Sequence, residues 1–533
     1  MDRNFGSAGV CTIPTLQTSS PSELTPPGSK RRDRMPTATR SAARLLACTV
    51  VLAAAALMAP GAASASKNQL SLIQDDRELL GSSGQDPASS MAEIANLGVD
   101  VVRTNIIYYK IYKTPSDRKS PAGFDAADPS SPEYDWSRTD RLVQLANDNG
   151  LRILGTITGP GPHFTTKKPG SCRSVPCPKN PKPADFGKFA AAVAKRYKGQ
   201  IDYYSIMNEP NLENWLQPQQ KKPGIGKVQH EAVIYRKLFI AAYKSVAKFD
   251  RARRNKVMFG EVAAISEPLP LLYGALCLDV NGNKFRGRQA KRHGCAGKVA
   301  KLNIGGFAVH PYNAGAYGTP QSKTRSRFAL PLAYMPRLHR LIDRAKKLGR
   351  ITRRAPILST EFGFQSKPPE RGLGSGSAPS LAEQARFINE SDRLFYGDAR
   401  VTMVGQYELT DPPELDVFNS GLRFAEVDGR EAKPSYEAYR VPLVVSKLSA
   451  NKVEVYGQVR PGGSASAQIQ VFKNGGFTAV RSVRTSSRGM FKVNVSRKKA
   501  ARLTWRLASS APNGDLVTSR IAKVGKKLRY YKN

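Results

Sequence analysis

Acidic residues are scarce in this 533-residue chain: 42 Asp and Glu face 83 Lys and Arg, a formal net charge of +41. Such a balance favours polyanionic surroundings, whether cell-wall polymers, acidic polysaccharide or nucleic acid, and says nothing about the fold. Histidine and cysteine are also few, five and six in number. No His pair stands at ligand spacing and no two Cys are separated by two residues, so zinc has little to bind. No Gly-rich phosphate loop follows an early strand-like run, which argues against an open dinucleotide-binding sheet. Tryptophan occurs only at Trp136, Trp215 and Trp505. Beyond residue 65 no apolar run is long enough to cross a membrane. What remains is 40% hydrophobic residues in a chain long enough for one large core and a further module.

The first 65 residues read as processing sequence. Arg40 and Arg44 precede the apolar run Leu45–Ala59, and Ala63-Ser64-Ala65 follows as a small-residue cleavage pattern. A signal peptide over 35–65 is expected, cut before Ser66, with 1–34 a polar extension or an upstream start. The mature chain would then be secreted or cell-wall associated. Cleavage leaves Cys172, Cys177, Cys277 and Cys295. An even number of thiols in an exported chain favours disulfides, most simply 172 with 177 and 277 with 295.

From residue 66 to 441, strand-like runs alternate with amphipathic segments. Strands are expected at Leu70–Gln74, Val99–Tyr108, Leu151–Thr158, the run ending at Met207, Lys256–Ala264, Gly306–His310, Pro356–Glu361 and Val401–Leu409. Helices fall between almost all of them, and Gly98 and Gly150 stand as C-terminal stops. Eight such units imply a parallel sheet closed into a (β/α)8 TIM barrel, an α/β fold.

After residue 441 the texture changes to short alternating runs separated by Pro461-Gly462-Gly463, Asn474-Gly475-Gly476 and Ser487-Arg488-Gly489. Residues 442–533 therefore read as a small all-β sandwich. From Leu443 to Asn533 there are 19 Lys and Arg and two acids, Glu454 and Asp515. Two readings stand: a solvated basic surface, or adhesion to an anionic wall polymer or glycan. With only Trp505 and a few Tyr as stacking platforms, a dedicated carbohydrate-binding role is not favoured.

Two strand ends carry the chemistry. Tyr203-Tyr204-Ser205-Ile206-Met207 stops at Asn208-Glu209-Pro210, where Pro210 has no N–H for a ladder and forces Glu209 out of helical geometry. Pro356-Ile357-Leu358-Ser359-Thr360 ends likewise at Glu361-Phe362-Gly363, and His310-Pro311-Tyr312 ends the strand between them. In a parallel barrel such strand ends form the active-site face. Two carboxylates at one mouth are what glycoside hydrolysis uses.

These three motifs together resemble the retaining glycoside hydrolases of clan A, the 4/7 superfamily that includes families 5 and 39. The resemblance spans about Asn68 to Arg440. It implies that Glu209 is the acid/base, Glu361 the nucleophile, and Asn208 a partner for a sugar 2-hydroxyl. It further implies that Arg103 supports the nucleophile and that His310 and Tyr312 surround it. Gln406-Tyr407-Glu408-Leu409 stands where relatives carry a tryptophan, so either Tyr407 takes the place of that platform or the nearest subsite is reshaped.

The resemblance and the residues agree on the electrostatics to expect. Arg103 would depress the Glu361 pKa, while a dry site and the Glu361 charge would raise that of Glu209. Trp215 is a further candidate platform, with a core role equally open. His163 is a candidate lining residue. Glu261, ending the fifth strand, is read as a hydroxyl ligand or an ion-pair partner. No metal or cofactor is called for, and the expected partner is a carbohydrate. The rival readings are a non-catalytic glycan- or wall-binding protein on the same barrel and, from charge alone, a nucleic-acid binder without interleaved aromatics.

Overall fold

The structure, a computed structural model, describes residues 66–220, 227–313, 317–369, 378–414, 418–463, 465–510, 514 and 516–531. The N-terminal segment assigned to signal and extension lies outside the described residues. Eight strands alternate with helices: β1 (Leu70–Gln74), α1 (Pro87–Asn96), β2 (Val101–Ile107), α2 (Ser137–Asp148), β3 (Arg152–Thr158), α3 (Pro183–Arg196), β4 (Tyr203–Ile206) and α4 (His230–Phe249). The series continues with β5 (Val257–Ala263), α5 (Pro268–Ala275), β6 (Gly306–His310), α6 (Pro336–Lys347), β7 (Ile357–Ser359), α7 (Leu381–Tyr396), β8 (Val401–Tyr407) and α8 (Pro434–Arg440). All eight strands pair in parallel and in sequence order. Pairing of Gln74 with Tyr407 between β1 and β8 closes the barrel.

The inside of the barrel follows from the two-residue period of a strand. Leu72, Val101, Leu154, Met258, Ala308, Leu358 and Met403 form a buried apolar floor, with Tyr203 against it. Two residues further along come Gln74, Arg103, Thr156, Ser205, His310 and Thr360, all buried and all polar. The site is therefore the second layer of the barrel, built on a dry first layer. On β5 the step from floor to polar layer is three residues, from Met258 to Glu261. The β5–β6 register shifts between Gly260 and Val262. This bulge places Gly260 at φ +112° and Glu261 at φ +49°. A Cβ at Gly260 would lie 2.7 Å from the Ala308 carbonyl oxygen, so the bulge requires glycine.

Cys172 is bonded to Cys177 in the loop after β3, and Cys277 to Cys295 in the β5–β6 connection. No helix among the described residues is long and apolar enough to cross a membrane. One helix was not expected from the sequence: α5 reads PLPLLYGA, apolar on every side, so it shows no amphipathic period.

The chain then forms β9 (Leu443–Ser449), β10 (Lys452–Gln458), β11 (Ser466–Lys473), β12 (Gly476–Arg484), β13 (Met490–Ser496), β14 (Thr504–Ser510), β15 (Leu516–Thr518) and β16 (Ala522–Lys523). One antiparallel sheet has the order β13-β10-β9; the other runs β12-β11-β14-β15, with β16 also on β14. Val445, Val453 and Val455 of the first sheet share a core with Ile469, Val471, Trp505 and Leu507 of the second. Trp505 is fully buried in that core, which removes it as a sugar platform.

This module is fastened to the barrel. Arg393 of α7 pairs with Glu454 of β10, Arg460 with Asp392 of α7, and Arg488 with Asp100 before β2. Tyr396 of α7 packs on Tyr456 with ring centroids 4.9 Å apart. The C-terminal tail returns to the barrel, where the Tyr531 N–H donates to the Ala333 carbonyl at 2.8 Å.

Candidate active site

Beyond β4 the backbone leaves the strand through two left-handed residues, Met207 at φ +66° and Glu209 at φ +39°. Neighbouring strand ends hold it there. The Met207 N–H donates to the Ile157 carbonyl at 2.9 Å, Asn208 N–H to Thr158 Oγ1 at 3.1 Å and Glu209 N–H to the Glu261 carbonyl at 2.9 Å. Three non-glycine residues at positive φ, counting Glu261, thus converge on one site and aim its side chains.

Arg103 is the hub. Fully buried, its guanidinium donates from Nε to Glu261 Oε1 at 2.9 Å and from Nη1 to Glu361 Oε1 at 2.6 Å. From Nη2 it donates to Asn208 Oδ1 at 2.7 Å and to Asn105 Oδ1 at 3.3 Å. Because Arg103 takes the Asn208 carbonyl oxygen, the amide NH2 of Asn208 is left for the cleft, where a sugar hydroxyl can accept from it. Glu261 also accepts from Thr156 Oγ1 at 3.0 Å and is fully buried. It is the ion-pair partner of Arg103 and does not reach the cleft.

His310 lies between the two glutamates. Its Nδ1 is 2.9 Å from Glu209 Oε1 and 3.3 Å from Glu361 Oε2. One oxygen of Glu209 and one of Glu361 lie within 4.8 Å of each other. Burial lowers the His310 pKa to about 4, so the ring is neutral near pH 7. Its buried Nε2 has no partner among the described residues, which places the single proton on Nδ1. Glu209 Oε1 is then an acceptor, and any proton Glu209 carries sits on Oε2. The Tyr312 hydroxyl donates to Glu361 Oε2 at 3.4 Å.

Burial pushes the Glu209 pKa up to about 7, Glu261 adding to the rise and Arg103 opposing it. The neighbouring negative charge was expected from Glu361; Glu261, brought inward by the β5 bulge, supplies it. Glu361 departs from expectation as well. Burial raises its pKa above the usual carboxylate value, although His310 and Arg103 pull it down and Glu209 and Glu261 add to the rise. The direct bonds from Arg103 and Tyr312 make Glu361 the carboxylate that ionises first, since Glu209 has only the His310 N–H. By donor type Glu209, His310 and Glu361 would also suit a cation. A guanidinium on one Glu361 oxygen and a phenol on the other leave that carboxylate little to offer a metal.

Above this layer opens a cleft of about 1180 Å³, lined by Asn208, Glu209, Tyr312 and Glu361 and also by Trp215 and Tyr407. Trp215 is half-buried on the cleft wall and Tyr407 stands at the end of β8. His163 does not line the cleft. It starts a short 3-10 turn after β3, is buried, and its Nε2 bonds the Ser174 carbonyl oxygen at 3.0 Å. Sequence reasoning passed over Asn105, Tyr109, Lys110 and Glu408, which also line the cleft. The signal for two of them was present: Tyr108-Tyr109-Lys110-Ile111-Tyr112 is an aromatic and basic run at a strand end.

A closed eight-stranded barrel with paired carboxylates at its strand ends defines the class of architecture. No family model matches the sequence, and no curated protein does. Among solved structures the chain is similar to a glucosidase from Croceicoccus marinus at 11% identity, covering 82% of this chain and 95% of that one, with TM-score 0.47. It is also similar to a GH30 endoxylanase from Clostridium papyrosolvens (12% identity, 82% and 96% covered, TM-score 0.39). A third is the virulence factor SghA from Agrobacterium tumefaciens (14% identity, 70% and 96% covered, TM-score 0.40). At these identities and scores the likenesses carry no argument about activity.

Proposed function

We propose that this protein is an exported glycoside hydrolase that cleaves β-glycosidic bonds of an oligo- or polysaccharide by double displacement. The observation that carries the reading is the pair Glu209 and Glu361, bridged by neutral His310 and unequally supplied with donors. Oxygens within 4.8 Å of each other favour the closer carboxyl spacing of retaining enzymes over the wider spacing that leaves room for a water.

In the first step Glu361, ionised and oriented by Arg103 and Tyr312, attacks the anomeric carbon while Glu209 gives its Oε2 proton to the leaving oxygen. The glycosyl ester on Glu361 carries no charge. Arg103 is then balanced by Glu261 alone among its carboxylate partners, so its positive potential falls more fully on Glu209 and lowers its pKa. Glu209 can now take a proton from water, which attacks from the face the leaving group vacated. One charged hub thus serves both half-reactions.

Chromogenic β-glycosides test the reading. Glu361→Ala should abolish turnover, and azide should restore it with inverted product. Glu209→Ala should keep the first step for good leaving groups, slow the second by about 10²–10⁴-fold, and give azide product of retained configuration. Near wild-type turnover in both variants would overturn the assignment.

A further inference from the structure

We propose that the β9–β10 turn of the C-terminal module, together with the loop after β13, is a binding site for an acidic polysaccharide. The inference stands apart from the catalytic reading and does not need it.

Charge is concentrated here. Residues 66–441 carry 57 Lys and Arg against 37 acids, whereas Leu443–Asn533 carry 19 against two. Where the module meets the barrel, Arg460 and Arg488 are paired with carboxylates of the barrel. Most of the module's other cations have no carboxylate partner among the described residues, and six of them, Lys447, Lys452, Arg497, Lys498, Lys499 and Arg502, are exposed and close together.

These six surround one turn. Lys447 and Lys452 flank the β9–β10 turn Ala450-Asn451, with Val453 paired to Lys447 and Lys452 paired to both Ser449 and Ser496. The loop after β13 is clipped onto the turn. Arg497 N–H donates to the Asn451 carbonyl at 2.9 Å, Lys499 N–H to Asn451 Oδ1 at 2.8 Å and Ala501 N–H to the Ala450 carbonyl at 3.1 Å. Lys499 takes a left-handed conformation, φ +55°, to make this fit.

Six like charges on one braced tip repel each other, and a surface needing only solubility is served as well by mixed signs. The arrangement suits a ligand with regularly spaced anions. Residues 447–452 and 496–502 include no aromatic, and the module's tryptophan is buried, so the turn and its loop offer no platform for stacking bases or neutral sugars. The only helical piece in the loop is the three-residue 3-10 turn Ala500–Arg502, too short to enter a nucleic-acid groove. Anions borne on a sugar chain fit the tip better than those of a nucleic acid.

The test uses the full chain and polygalacturonate, with dextran and a DNA duplex as comparisons. The triple substitution Arg497→Gln, Lys498→Gln, Lys499→Gln is set against Lys237→Gln, Lys244→Gln, Lys248→Gln on exposed positions of α4. The tip variant should bind polygalacturonate at least tenfold more weakly and flatten the dependence of log K on log salt by about 2 units, as lost ion contacts require. The α4 variant should bind as wild type, and dextran should not bind. Equal losses in both variants, no loss in either, or tighter binding of DNA than of polygalacturonate at matched charge and salt would overturn the proposal. Circular dichroism identifies a variant that failed to fold; single substitutions at Lys498 and Lys499 then replace it and should each give a partial loss.

Discussion

Arg103 shows how one residue can hold a site together. Its bonds to Glu261 and Glu361 span 158 and 258 residues of sequence, so no local motif announces them. Arg103→Met would leave two buried carboxylates without their cation, at a cost of about 3–5 kcal/mol in stability, measurable by denaturant unfolding. Activity should fall as well, because Glu361 loses its orientation and Asn208 its fixed amide. The pH profile is set by the glutamates. Turnover needs Glu361 ionised and Glu209 protonated, so it should decline as pH rises through about 7, the Glu209 value, and decline again where acid protonates Glu361. The same shift has a stability consequence with a definite sign. Since the folded pKa of Glu209 lies above its ordinary 4.5, neutral Glu209 contributes stability in acid that is lost as pH rises through 7. Glu209→Gln should therefore raise the melting temperature at pH 8 more than at pH 4.

The elements were legible where period and punctuation agree. Leu70–Gln74 and Gly306–His310 fall where the sequence puts them, whereas β4 ends at Ile206, where the chain turns left-handed at Met207, and so stops before Pro210 is reached. The β5 bulge was not legible. Gly260 and Glu261 read as an ordinary strand interior and strand end, and only the neighbouring Ala308 carbonyl shows why glycine is needed. Hence sequence reasoning left Glu261 between two roles and credited Glu361 with its electrostatic work. It also assigned His163 to the cleft because a loop histidine cannot be told from a buried one without knowing what covers it. Gly260→Ala tests the bulge. Positive φ and the 2.7 Å approach to backbone should cost about 1–3 kcal/mol, and the shift of Glu261 should lower kcat with little change in KM. A variant with wild-type stability and kcat would show that the bulge tolerates a side chain.

At the scale of the whole molecule, barrel and sandwich behave as one body. Arg460 is buried with Asp392 and also bonds the Tyr439 carbonyl oxygen, so Arg460→Met should cost about 3–5 kcal/mol although it lies far from the cleft. Calorimetry should give a single transition covering both parts; two well-separated transitions would contradict the fastening. At Gly98, φ +76°, a Cβ would lie 2.3 Å from Pro461 Cα, so the α1–β2 turn and the module also meet without a side chain between them. This contact bears on transplantation. The composition changes at residue 441, which invites treating the β module as a cassette to be moved onto another enzyme. The host would have to present Asp392, Arg393 and Tyr396 on one helix face and a glycine at the turn opposite Pro461. Without that socket, the graft would carry Arg460 and Glu454 with nothing to answer them, and the visible border in the sequence would be the wrong place to cut.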